Sequence, residues 1–211
     1  MSDRSAGSRV PPSHSEDGRP FVDPPWEAPV DVDRCLAGIP ADATISGMFF
    51  TYLIAAAKAM GTPLPSAGDR YLAFKFYPVS DLARLVLEAI PLLFPGRPLR
   101  QALRVLGRRA PDAFLSSTLG KVTLGSALDA HASIAAIAGA YEVNLRPSRV
   151  AVLDKGPRWA TVRVDKVHYF LDSHHVGTFE GVLKHAGAEG AVRIASRSPS
   201  SADLLLEWQA P

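Results

Sequence analysis

Cysteine is nearly missing: among 211 residues there is one, Cys35, so no internal disulfide can form. That excludes a disulfide-stapled secreted framework and fits a reducing, cytoplasmic setting. Charge of one sign is lacking as well, because 23 basic residues face 21 acidic ones and leave a formal net charge of +2. Whole-molecule attraction to nucleic acid or to an anionic membrane therefore has no basis in composition. The longest uncharged stretch lies between Asp42 and Lys58 and contains Thr44, Ser46, Gly47 and Thr51. Its roughly 15 residues at about 1.5 Å each fall short of a bilayer core of about 30 Å, so no membrane span is expected. The first twenty residues hold Arg4, Arg9, Glu16, Asp17 and Arg19 with no apolar run, and no signal-peptide centre is expected there.

Chemical signatures are just as sparse. Neither a Gly-x-x-x-x-Gly-Lys-Ser/Thr loop nor a Gly-x-Gly-x-x-Gly turn occurs, which removes the two commonest phosphate cradles. A Gly-x-Ser-x-Gly elbow, paired metal-binding cysteines and His-Glu-x-x-His are absent too. What remains is an ordinary globular composition, 47% hydrophobic and 21% charged, which rules out collagen-like, coiled-coil and wholly disordered chains. At this length a self-sufficient core needs no metal or disulfide.

Residues 1–40 hold seven of the eighteen prolines and an excess of acidic residues, with no apolar period. They read as an extended or disordered tail, which Phe21 and Trp26 could anchor to the body. Residues 41–211 read as a single α+β domain. Ile45, Met48, Phe49, Tyr52, Ala56 and Ala59 recur at helical spacing, so a helix is expected over Thr44–Met60, ended by Gly61 and Pro63. Arg70–Tyr77 reads as an extended piece stopped by Pro78. A second helix, capped by Ser80 or Asp81, buries Leu82, Leu85, Val86, Ala89, Ile90 and Leu93. A third runs from Pro98 to Phe114 and must kink or split at Pro111. Small residues from about Ser126 to Gly139 suggest a fourth.

Beyond Gly139 the period changes from helical to alternating. Tyr141–Leu145, Val150–Leu153 and Trp159–Val164 read as strands, the last two joined by the turn Asp154-Lys155-Gly156-Pro157. A helix over His174–His185, capped by Asp172 or Ser173, precedes strands over Ala191–Ser196 and Asp203–Trp208. The expected fold is α+β: a helical N-terminal half packed on a C-terminal antiparallel sheet of about four to five strands with one inserted helix.

Three residue sets are candidates for function. His168, Asp172, His174, His175 and His185 are close in sequence, and histidine is the commonest metal ligand. On one helix, however, His174 and His185 stand about 16 Å apart, far beyond a shared ion, so no metal is assigned. Only a distant carboxylate paired with His174 or His175 would restore a metal site, and an enzyme using His174, His175 or Asp172 would need those groups to converge in a cleft. Arg97, Arg100, Arg104 and Arg108 line one helical face with no acidic residue between Glu88 and Asp112, a stripe suited to an anion or an acidic partner. Finally Phe49, Tyr52, Tyr71, Phe74, Tyr77 and Phe114 belong to an aromatic set that either fills a core or lines a ligand cavity.

Pro40 to Trp208 resembles a lineage-specific family of unknown function found mainly in myxobacteria. The resemblance rests on Ile45-Ser-Gly-Met-Phe-Phe50, Arg70-Tyr-Leu-Ala-Phe-Lys-Phe-Tyr-Pro78, Pro95-Gly-Arg-Pro-Leu-Arg100 with Leu106-Gly107, Val176-Gly-Thr-Phe-Glu-Gly181 and Ala202-Asp-Leu-Leu-Leu-Glu-Trp208. More remotely, the order of elements and the Gly177-x-x-x-Gly181 helix are similar to the superfamily of haem-nitric-oxide-binding, vinyl-reductase-type and vesicle-tethering ligand-binding domains. That resemblance implies ligand sensing or adaptor work. A haem site of that kind needs a proximal histidine on a helix before the sheet, where His131 is the sole candidate, and a Tyr-x-Ser-x-Arg clamp that this chain lacks. No haem or other cofactor is therefore expected. The leading expectation is a non-catalytic cytoplasmic sensory or adaptor domain that binds a small apolar ligand, a protein partner or a second copy of itself. A nucleic-acid- or anion-binding regulator using the arginine stripe comes second. A hydrolase-like or metal enzyme using His174 and His175 comes third.

Overall fold

Apolar residues three and four apart shape the first half of the chain into helices, and their buried faces meet in one continuous core. The computed structural model describes residues 10–68, 71–115, 118–125, 127 and 129–209. Helix α1 (Val32–Ala37) is capped by the Asp31 carboxylate, which accepts from the Arg34 amide at 3.0 Å. Strand β1 (Thr44–Ser46) precedes α2 (Met48–Ala59), so the apolar period expected to be helical from Thr44 starts as a strand. It does so because β1 pairs on both sides, with β2 (Phe76–Pro78) and β3 (Leu145–Arg146). The extended piece ending at Pro78 contracts to β2, its first residue Arg70 lying outside the described residues.

Helix α3 (Val79–Leu93) buries Leu82, Leu85, Val86, Ala89 and Ile90 as their spacing predicts. Pro78 at its N-cap brings no side-chain oxygen, so neither Ser80 nor Asp81 serves as the cap. The Pro98–Phe114 period is split into α4 (Leu99–Arg108) and α5 (Ala110–Leu115), with Pro111 in the first turn of α5, where its missing amide costs no bond. Helix α6 (Thr118–Thr123) follows. Helix α7 (Ala130–Asn144) is capped by Asp129 and runs through Tyr141, so the expected strand over Tyr141–Leu145 is corrected to the last helical turn plus β3. The start expected near Ser126 lies outside the described residues, and the helix begins at Ala130.

The main sheet is antiparallel with order β4-β5-β7-β6, formed by β4 (Arg149–Gly156), β5 (Trp159–Asp165), β6 (Gly190–Ser198) and β7 (Ser201–Trp208). The inserted helix arrives in two parts: a π-helical turn (Leu171–His175), then α8 (Val176–His185). The architecture is α+β, a helical N-terminal half against a C-terminal four-stranded antiparallel sheet. Leu204 and Leu206 of β7 join the main core, whereas Leu205, on the opposite face, joins Trp159, Ala195 and Phe21. Three consecutive leucines thus fit one strand because both of its faces are covered.

The cover on the outer face is the N-terminal segment. Phe21 is buried there, and the Val22 and Ile194 backbones exchange two hydrogen bonds at 3.0 and 2.9 Å. Glu16 joins Arg163, itself bonded to the fully buried Asp203 across the strand pair. Proline-rich composition suits such an arm because it has few backbone donors to satisfy while lying across a surface.

Helices α4 and α8 approach closely enough to exclude side chains. A Cβ on Gly177 would lie 2.1 Å from the Arg104 carbonyl oxygen, and one on Gly107 would lie 1.9 Å from that of His174. Only hydrogen fits at either place. The contact fixes the π-helical turn against α4 and so positions both histidines.

Candidate ligand-binding site

The π-helical turn begins with Phe170 at φ 47°, in the left-handed region, where a side chain costs about 1–3 kcal/mol. Strained backbone and π turns both occur often at functional sites. Here they turn His174 and His175 toward the seam between helices and sheet. The His174 carbonyl accepts from the Thr178 hydroxyl at 3.1 Å and abuts Gly107, which holds the turn in place.

An apolar cavity of about 50 Å³ opens at this seam. Ile45, Phe49, Phe114, Ile137, Tyr141 and His175 are among its walls. A neighbouring cavity of about 40 Å³ shares Phe49, Ala110, Tyr169 and His174 and adds Tyr52 and Leu82. His175 is 2% exposed, its Nδ1 lies 2.7 Å from the Tyr141 hydroxyl, and its Nε2 has no hydrogen-bond partner among the described residues. His174 Nδ1 is likewise shielded and without a partner among the described residues, although the residue as a whole is only half-buried. Two unpaired polar nitrogens beside an apolar void form an unusual cluster, since buried polar groups are normally bonded.

Burial governs the titration of this cluster. It lowers His174 to about 4, and it holds His175 well below the usual imidazole range with help from the adjoining His174, against the opposing Tyr169 backbone. Both rings are neutral near pH 7. Burial also raises the Tyr141 and Tyr169 phenols, which stay protonated. Among the described residues no carboxylate is bonded to either imidazole, and no group of three or more His, Cys, Asp or Glu side chains could hold a metal ion.

The other sequence candidates divide. Phe49, Tyr52 and Phe114 stand on the two cavities. Tyr71 and Tyr77 instead pack with Phe50, the Tyr71 ring 4.2 Å from that of Phe50, and Phe74 is 79% exposed. Of the arginine stripe, Arg97 is exposed before α4, while the others meet acidic partners from the second half of the chain. Arg100 pairs with Asp172 and also donates to the Ala28 and Pro29 carbonyls. Arg104, 5% exposed, and Arg108 both pair with Glu180. The Trp26 ring lies 3.4 Å from the Arg104 guanidinium, a cation–π contact. His168 lies with Cys35, Arg100 and Asp172 around a separate recess beneath α1. His131, on α7, bonds the Gly156 carbonyl at 2.9 Å and meets Trp208 on the sheet side, away from the seam.

The fold around this seam is that of H-NOX domains. An H-NOX protein from K. algicida in the unliganded Fe(II) state is 13% identical and superposes with a TM-score of 0.57 over 79% of this chain and 98% of that one. For an H-NOX protein from S. oneidensis the values are 15%, 0.57, 79% and 97%. An oxygen-binding H-NOX domain related to soluble guanylate cyclases gives 10%, 0.56, 78% and 93%. Comparison with curated proteins finds no match. Residues 40–209 match the profile of DUF2378, a protein family of unknown function, and the chain belongs to that family. Among the described residues no helix is long and apolar enough to cross a membrane.

Proposed function

We propose that this chain is a cytoplasmic sensory domain that takes up a small, largely apolar molecule at the seam and passes its occupancy to a protein partner without catalysing a reaction. One observation carries the reading: an apolar cavity beside a fully buried imidazole whose Nε2 has no partner. Such a nitrogen is costly in an empty core and useful in a binding site. The H-NOX likeness supports ligand sensing as work this fold can do. Of the aromatic set, Phe49, Tyr52 and Phe114 form the apolar part of the site. Residues 41–211 act as one unit on which the N-terminal segment is docked.

A porphyrin does not suit this seam. Ligand pockets of that order need about 300–1,000 Å³, against about 50 Å³ here. The helix position facing the cavity is Ile137, and His131 is engaged elsewhere. The sensing reading therefore does not route through haem. Among the described residues no carboxylate bonds His174 or His175, which favours binding over acid–base chemistry.

Xenon provides the direct test, since it enters dry apolar cavities without needing polar partners. Xenon resonance titration of the intact chain should report a bound site that Ala140→Phe, placed on the cavity wall, abolishes. Absence of binding by the unaltered protein, or binding unaffected by that substitution, would overturn the proposal.

A further inference from the structure

Resting on the sensing role proposed above, the geometry points to a particular ligand class: small uncharged molecules of about five heavy atoms, apolar except for one edge that both donates and accepts a hydrogen bond. The size follows from room. A single water already takes about 10–15 Å³, so a cavity of about 50 Å³ admits only a small molecule. The neighbouring space of about 40 Å³ shares Phe49, Tyr169 and His174 with it and admits a little more through side-chain rotation.

The apolar body is set by Ile45, Phe49, Phe114 and Ile137. Lack of charge follows from the walls, which contain no Asp, Glu, Lys or Arg side chain. The nearby cations Arg100 and Arg104 are already paired with Asp172 and Glu180. An ion in this space would lose its hydration without gaining a counter-charge. Burial keeps both imidazoles neutral as well.

The polar group is chosen for the His174 and His175 rings, which line the cavity and carry in Nδ1 and Nε2 two nitrogens without a hydrogen-bond partner among the described residues. A neutral imidazole presents one N–H and one bare nitrogen, and the Tyr141 hydroxyl at His175 Nδ1 can rotate to serve either tautomer. A ligand able both to give and to take a hydrogen satisfies whichever form is present. A purely apolar occupant leaves both nitrogens unpaired.

Three probes of similar size separate the alternatives in the full-length chain. Pyrazole is neutral and both donates and accepts; thiophene is a matched ring without a donor; acetate is an anion. Binding is read by the dose-dependent rise in Tm, and the His174 and His175 ring nitrogens are followed by long-range proton–nitrogen spectroscopy. Pyrazole should bind at least tenfold more tightly than thiophene and shift the His175 Nε2 resonance, while acetate does not bind. His175→Phe should narrow the gap between pyrazole and thiophene. Should that variant fail to fold, the nitrogen resonances of the unaltered protein still decide. Equal affinities for pyrazole and thiophene, no change at the ring nitrogens, or acetate binding as tightly as pyrazole would overturn the ligand class and leave the cavity as a site. Failure of xenon and all three probes would overturn the sensing role itself.

Discussion

Replacing Glu180 with glutamine removes one charge from a site where Glu180 and Arg104 meet largely out of water, with the half-exposed Arg108 beside them. Glu180 and Arg104 have side chains only 9% and 6% exposed, and Arg108 adds a second guanidinium at 2.7 Å. Breaking a buried pair from one side leaves an uncompensated charge and costs about 3–5 kcal/mol. For a chain of this length that corresponds to a fall in Tm of roughly 6–20 °C. The assay is urea unfolding followed by far-UV circular dichroism at pH 7, with Glu207→Gln as comparison. Glu207 pairs with Arg193, but their side chains are 31% and 34% exposed, so that change should cost under about 1 kcal/mol. The pH dependence carries its own sign. Burial pushes the Glu180 carboxyl up, but hydrogen bonds from Arg104 and Arg108 outweigh it and leave it below the ordinary 4.5. The unfolded chain therefore binds this proton more readily, and the pair's stabilisation is complete above about pH 4.5 and lost as pH falls through the native value. Unaltered protein should lose stability below that point more steeply than the glutamine variant. Equal costs for the two substitutions, or identical acid profiles, would refute the reasoning.

The close helix contact makes a second prediction: Gly177→Ala should destabilise by about 1–3 kcal/mol through overpacking, because its Cβ meets the Arg104 carbonyl at 2.1 Å. Gly139→Ala, with no atom within 4 Å, should instead be neutral or stabilise by up to about 1 kcal/mol in the same urea series. The histidines set a third. Their native values lie below the ordinary 6.5, so their contribution is intact above it and declines as pH falls toward about 4. Unfolding midpoints between pH 7 and 4.5 should fall, and fall less in His174→Phe.

Much of the fold was legible because its residues act on near neighbours. Leu82, Leu85, Val86, Ala89 and Ile90 state their helix by spacing alone, and Thr161, Val162, Arg163 and Val164 alternate polar and apolar within a hairpin marked by Asp154-Lys155-Gly156-Pro157. Tyr141–Leu145 misled because Tyr-Glu-Val-Asn suits either period, and packing against α8 decided for helix. The arginines were visible as a stripe, but Asp172 and Glu180 lie more than seventy residues away in sequence, so their pairing was not. His174 and His175 drew notice as metal ligands, whereas their cavity depends on a π turn that leaves no periodic signal. Phe21 and Trp26 were the one local hint that the proline-rich arm is docked.

Residues shared across DUF2378 start at 40, yet Val22 closes the outer strand and Trp26 roofs Arg104 from before that boundary. A protein trimmed to the common segment would bare the backbone of β6 around Ile194 and the apolar face formed by Trp159, Ala195 and Leu205. An open strand beside an oily patch invites self-association. The arm thus covers in one stroke the open strand edge and the apolar face that would otherwise meet solvent.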